Sequence, residues 1–260
     1  MRHRTVIRIE AQYRKLWLKL FHNKIPLYLL TEYPKSGASW LGQLLSDCIP
    51  AQFPRQQFPG IGKSIFHGHY LNTNSNGPTI VFWRDPRDIM VSWYYHCLIQ
   101  TDKNHPGFVT QHRQALGFDD FDAIQDNLPD FISFMFTSPI SPRFTFNKFF
   151  DSWFGDDKAI HVTYESLTND PKGTLSSVLD ALKVDYSADA IQAVISKYSF
   201  KSQTNRSQGE ENTSRYLRKG IVGDWKNQFS SNAKKTFLQH TGNRLVQLGY
   251  EKDNNWADEN

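Results

Sequence analysis

Leu27-Tyr28-Leu29-Leu30-Thr31-Glu32-Tyr33-Pro34-Lys35-Ser36-Gly37-Ala38-Ser39-Trp40-Leu41 carries an apolar run into a turn of Pro, Lys, Ser and Gly, and an apolar periodic segment follows. Strand, loop and helix in that order expose backbone N–H groups at a helix start beside a lysine, which is how proteins hold phosphate-like anions. The pattern is not GxxxxGK[ST], because the lysine precedes the only glycine. An ordinary strand-to-helix turn with a solvated lysine would share these features, so the rest of the chain has to decide.

Outward from this stretch the alternation repeats. Thr79-Ile80-Val81-Phe82-Trp83 is apolar without alternation, as expected of a buried central strand, and Arg84 stands at its exit. The next helix has a clear start: Asp85 as cap, Pro86 at the first helical position, and Asp88 three past the cap, as in a capping box. Ser92 lies about two turns into it. Lys158–Thr163 is a further short buried strand that ends at Tyr164-Glu165, and Lys63–Tyr70 a short extended segment with His67 and His69 on one side. Helices are expected over about 39–48, 119–135, 146–154, 171–182, 188–198 and 232–248, the last stopping at Gly249. Residues 99–118 read as a long surface excursion and 201–213 as a polar, mobile segment. The alternation predicts a single α/β domain over 27–253, with a central, mostly parallel sheet flanked by helices and a flexible acidic tail over 254–260. Active sites in such sheets gather at the carboxyl ends of the strands, and Lys35, Arg84 and Tyr164 each follow a predicted strand.

Composition narrows the classes. With 19 Phe, 11 Tyr and 7 Trp the chain is a folded globular protein, and its net charge of +4 suits an anionic ligand. No arginine-rich arm or zinc-finger spacing points to nucleic acid, and no apolar run reaches the length of a membrane span. Cys48 and Cys97 lie in apolar helical patterns and suggest a reducing, cytoplasmic setting. Residues 1–26 form a basic N-terminal extension. Within it, 5–22 mix Arg and Lys with Ile, Leu, Trp and Phe at helical spacing: a terminal helix packed on the body, or a basic amphipathic helix making weak contact with a membrane surface.

An anion on the 34–40 loop would meet the N–H groups of Ser36 to Ser39, the hydroxyls of Ser36 and Ser39, and the Lys35 ammonium. Arg84 with Ser92, and the Arg218-Lys219-Gly220 cluster, offer two further anion sites. Three such sites fit a ligand with phosphates at two separated points, and Trp40 and Phe200 could supply aromatic faces for a base. His67 and His69 could serve as structural groups, as a proton acceptor or, by their spacing, as half of a metal site. No HExxH motif and no Cys/His cluster accompanies them. The lack of an obvious acidic metal site argues against a kinase.

Three motifs carry a family resemblance. Tyr33-Pro34-Lys35-Ser36-Gly37-Ala38-Ser39-Trp40 resembles the P-loop-like 5′-phosphosulfate loop of sulfotransferases that use 3′-phosphoadenosine 5′-phosphosulfate (PAPS). Arg84 to Tyr95 is similar to their 3′-phosphate strand and helix, and Arg218 to Asn227 to their C-terminal RKGxxGDWKN signature. The resemblance implies in-line sulfuryl transfer to a hydroxyl or amine of a small-molecule acceptor, with no metal, leaving adenosine 3′,5′-bisphosphate (PAP). By the same resemblance Lys35 would stabilise the leaving phosphate, Ser36, Gly37, Ala38 and Ser39 would cradle the 5′-phosphate, and His69 would be the base. Arg84, Ser92, Arg218, Lys219 and Gly220 would bind the 3′-phosphate. Trp40, Tyr164, Tyr198 and Phe200 would surround adenine. A catalytically inactive nucleotide-binding protein and a kinase-like phosphotransferase are the alternatives.

The chain departs from the family at several places. Ala38-Ser39 stands where two threonines are usual, His67 replaces a lysine two places before the base, and Tyr198 replaces a threonine. The family's short dimerisation segment is missing between Phe229 and Glu251, which favours a monomer. Loops over 51–62, 98–118 and 135–150 would cover the acceptor. Phe53, Phe58, Phe108, Phe136, Ile140, Phe144 and Phe146 suit a lipophilic acceptor or the core; His105, His112, Arg113 and Arg143 suit an acidic or sugar one.

Overall fold

The computed structural model describes residues 4–24, 26–54, 62–74, 77–100 and 107–258. In chain order the elements are α1 (Arg4–Phe21), β1 (Leu27–Glu32), α2 (Ala38–Cys48), β2 (Ser64–Gly68), β3 (Thr79–Trp83), α3 (Pro86–Tyr94) and α4 (Phe108–Leu116). After these come α5 (Ile124–Thr137), α6 (Phe146–Trp153), β4 (Ile160–Thr163), α7 (Tyr164–Asn169), α8 (Pro171–Ala181) and α9 (Ala188–Lys197). The last are α10 (Phe200–Thr204), α11 (Ser231–Thr241) and α12 (Arg244–Gln247). They pack as two compact units: residues 1–84 with 152–205, and residues 85–151 with 206–260.

The first unit holds the sheet. Its strand order is β2-β1-β3-β4 and every pairing is parallel, with Leu30 opposite His67 and Glu32 opposite Phe82. β3 is buried along its whole length, which is why its sequence is a continuous apolar run. One face packs Leu41, Leu44 and Leu45 of α2 together with Leu175 and Leu179 of α8 into a single cluster. β4 differs from expectation: it starts at Ile160 and lies at the sheet edge, so His161 is exposed and only Val162 is buried. α1 lies beside the other edge. Its Arg14 is buried, donates to the His67 carbonyl at 2.6 Å, and stacks 4.5 Å over the Phe66 ring. A helix over an edge strand protects it from pairing with another chain. Because strand order reverses between β1 and β3, the switch point at their carboxyl ends is where this topology places a ligand.

The second unit is helical around the α3 start. Asp85 caps α3 by accepting from the Arg87 N–H at 2.9 Å, while both Asp88 oxygens accept from Gly223 and Trp225 N–H groups at 2.8 and 2.9 Å. Asp88 therefore fastens the turn of the C-terminal signature. Arg87 is buried, paired with Asp85 and Glu251, and its guanidinium stacks 3.8 Å over Trp225 and 4.7 Å over Trp256. That stacking corrects the expected frayed tail: Asn254–Ala257 is a 3-10 turn that buries Trp256. Three other expectations change. Part of the supposed excursion over 99–118 is α4. The final helix breaks at Gly242, whose positive φ ends α11. The polar stretch after Tyr198 is fastened by α10, capped by Ser199, and by Arg206, which donates to the Glu210 and Arg218 carbonyls at 2.7 Å each.

Candidate active site

β1 leads from the buried residues Leu29 and Leu30 into a loop that turns sharply. Lys35 has φ 74° and Gly37 φ 102°, both left-handed. A non-glycine residue in that region costs about 1–2 kcal/mol, so the lysine conformation is held by its surroundings. Gly37 cannot be replaced cheaply, because a Cβ there would stand 3.0 Å from the Tyr164 ring. As the N-cap of α2 it has no side chain to offer the first-turn N–H groups.

The predicted convergence is present. Arg84 donates to the Lys35 carbonyl at 3.2 Å, and its guanidinium lies 4.5 Å over the Tyr164 ring. Tyr164 in turn meets Trp40 edge-on at 6.1 Å. Trp40, Tyr164 and Tyr198 all pack on the same core cluster, with Lys197 4.9 Å over the Tyr198 ring. Phe200 opens α10 in this unit, half-buried. Lys35, Ser36 and Ala38 are buried, and Ser39 is half-buried.

Three donors expected on the anion are engaged within the protein. The Ser36 N–H and hydroxyl donate to the Tyr33 carbonyl at 3.2 and 2.7 Å, and the Ala38 N–H donates to Glu32 Oε2 at 2.7 Å. Glu32 escaped sequence reading. It sits at the end of an apolar strand, 2% exposed, and its other oxygen lies 3.0 Å from His67 Nε2. His69 Nδ1 lies 3.3 Å from the Glu32 carbonyl. A carbonyl only accepts, so Nδ1 carries the hydrogen and Nε2 keeps its lone pair. Burial pushes the His69 imidazole down to about 4, against the opposing pull of the Glu32 charge, so His69 is neutral near pH 7.

In the second unit, Ser92 is half-buried on α3. Arg218 and Lys219, expected as bare cations, share the buried Asp224: Arg218 bonds one oxygen, and Lys219 the other at 2.7 Å. Arg218 also pairs with Glu211 and stacks 4.3 Å over Tyr95. Burial raises the Asp224 carboxyl, yet Lys219, Arg218 and Asn227 together hold it below its ordinary value. Gly220 has φ 67°. The carboxylates orient the two cations and offset their charge.

The acceptor candidates divide. Phe136 and Phe146 belong to the core, while Phe53 packs against Gly42 of α2. His112 is fully buried with Nδ1 2.8 Å from the Phe108 carbonyl, and Arg113 donates to the Leu98 carbonyl, so both serve the fold. Phe58 and His105 lie outside the described residues.

Residues 56–249 match the family described as sulfotransferase domain. Sulfotransferase 1 family member D1 of Rattus norvegicus is 23% identical over 253 residues, covering 78% of this chain and 77% of its own. The mouse sulfotransferase SULT7A1, solved in complex with PAP, superposes with a TM-score of 0.67 at 17% identity, covering 94% of this chain and 95% of its own. Retinol dehydratase, solved with androsterone and inactive cofactor PAP, superposes with a TM-score of 0.59 at 14% identity, covering 92% and 85%. The fold is therefore shared. The matched family span begins beyond the 34–40 loop, whose reading rests on its motif and geometry.

Depressed histidines make stability depend on pH. His69 binds its proton far more readily unfolded (ordinary value 6.5) than folded, and burial depresses His22, His112 and His240 as well. Their effect is absent above about pH 6.5, and unfolding becomes easier as pH falls toward about 4. Urea unfolding of a His69→Gln variant should show a shallower decline across that window than the wild type. An unchanged slope would mean that His69 titrates normally in the folded chain.

Proposed function

The chain belongs to the sulfotransferase-domain family, and from that premise we propose that it transfers a sulfuryl group from PAPS to a hydroxyl or amine of a small-molecule acceptor. The observation that carries the reading is the meeting of Lys35, Arg84 and Tyr164 at the carboxyl ends of β1, β3 and β4, beside the start of α2. These residues fit the donor nucleotide chemically. Backbone N–H groups and a buried lysine suit the 5′-phosphosulfate, and Trp40, Tyr164, Tyr198 and Phe200 provide aromatic faces for adenine. Arg84 is assigned to the 3′-phosphate by position. The same assignment for Ser92, Arg218, Lys219 and Gly220 carries over from the motif resemblance. PAP in the two solved relatives supports this choice of nucleotide.

The donor supplies an activated sulfuryl group, and the protein does the rest. Lys35 neutralises charge as it builds on the departing phosphate. His69, neutral and holding its hydrogen at Nδ1, takes the acceptor's proton at Nε2. A nucleotide-binding protein without turnover is the second reading. The engagement of the Ala38 N–H by Glu32, and of both 218–219 cations by Asp224, bears on nucleotide affinity and not on the transfer step. Labelled transfer from PAPS to a panel of phenols, sterols, amines and sugars separates the two. Turnover of at least one acceptor is expected, with losses of roughly 10²-fold or more in both Lys35→Ala and His69→Ala. Near-normal activity in either variant removes that residue's role, and transfer that follows His67→Ala instead moves the base by two residues.

We propose a cytoplasmic monomer that touches anionic membrane surfaces through α1. Among the described residues no helix is long and apolar enough to cross a membrane. On α1, Ile9, Tyr13, Leu16 and Leu20 are 61%, 53%, 51% and 45% exposed, at spacings that align them on one face. The same helix contains Arg4, Arg8, Lys15 and Lys19 against one acid, Glu10, a composition complementary to anionic lipid. Sedimentation with phosphatidylcholine vesicles should require added phosphatidylglycerol and be lost in Leu16→Glu. Concentration-dependent dimerisation lost in that variant, without vesicle binding, would instead assign the face to a second copy.

A further inference from the structure

Glu32 is the one acidic residue in β1, and a carboxylate in a buried apolar strand is costly unless both oxygens are engaged. Both are. Oε2 takes the Ala38 N–H at the first turn of α2, at 2.7 Å, and Oε1 lies 3.0 Å from His67 Nε2. The same residue's carbonyl fixes the His69 ring through Nδ1. One side chain and its own backbone thus tie the phosphate-loop helix, the histidine at the position usually held by lysine, and the assigned base.

We propose that Glu32 is a positioning residue for the transfer step, an ionised carboxylate that locks the start of α2 to His67 and sustains the basicity of His69. This rests on reading His69 as the base. Burial raises the Glu32 carboxyl, but the hydrogen bond and charge of His67, the charge of His69 and the Ala38 N–H together hold it below its ordinary value, so it is ionised near neutral pH. The charged and titratable groups that act on His69 are Glu32, which favours its protonated form, and His67 and Arg14, which oppose it. The His67–Glu32 geometry further requires that Nε2 of His67 carry the hydrogen, because a carboxylate offers only lone pairs. Among the described residues the buried His67 Nδ1 has no hydrogen-bond partner, and Glu32 is the polar anchor of that ring.

Glu32→Gln keeps the shape, removes the charge and leaves one oxygen where two donors each had one. The test uses the full chain, with ring-nitrogen NMR of the histidines, turnover of PAPS with 2-naphthol as probe, and calorimetric affinity for PAP. In the wild type, His67 is expected protonated at Nε2 and His69 at Nδ1. In the variant, the His69 protonation midpoint should move down by about half a unit or more. kcat should fall about 10-fold while PAP affinity does not weaken, since the Ala38 N–H is released. A purely structural role would lower turnover without moving the His69 midpoint, and an unmoved midpoint overturns the proposal. If the variant fails to fold, the wild-type spectrum decides, since a His67 bare at Nε2 overturns the bond itself. If the wild type turns over no PAPS, sulfuryl transfer fails while the midpoint shift still judges Glu32.

Discussion

The left-handed turn at Lys35 to Gly37 is the constraint on which the first unit depends. It reverses the chain between a fully paired parallel strand and a helix, and the Tyr164 ring closes the space beside Gly37. Tyr164 is held there by β4, β4 by β3, and β3 delivers Arg84 to the Lys35 carbonyl. The loop is therefore shaped by three strands and not by its own few residues. That is how a lysine comes to sit in a backbone region that disfavours it.

Three sets of buried charge come with their counterparts. Arg87 lies between Asp85 and Glu251, Arg218 and Lys219 share Asp224, and Glu32 holds His67 and the Ala38 N–H. Removing one member of such a set leaves the other uncompensated, which costs more than the pair contributes. On the proposed reading, cations that are oriented and partly neutralised by their partners would recognise an anion by direction as much as by net charge.

Much of this was legible in the sequence. The apolar run of β3, the Asp85-Pro86 start of α3, and the strand exits at Lys35, Arg84 and Tyr164 all fall where period and capping chemistry place them. Long-range pairing was not legible. Glu32 is a single acid in an apolar strand, and nothing local marks it; only the parallel register of β1 with β2 brings it to His67. Asp88 fits a capping position three past Asp85, while its bonds to Gly223 and Trp225 span a sequence separation that no local pattern encodes. The tail looked frayed because it is acidic and short, yet Trp256 finds a buried guanidinium to stack on. His112 and Arg113 were attractive as acceptor contacts by type, and burial with backbone partners removed them.

The central proposal is that the chain binds a nucleotide carrying a 3′-phosphate. Calorimetric titration of the full chain with PAP, ADP and ATP, each with and without Mg²⁺, tests it most directly. Binding of PAP that is tighter than that of either other nucleotide and indifferent to Mg²⁺ is the expected result. Tighter binding of ATP in the presence of Mg²⁺ would contradict sulfuryl transfer and leave Arg84 and the 218–220 cluster in need of another ligand.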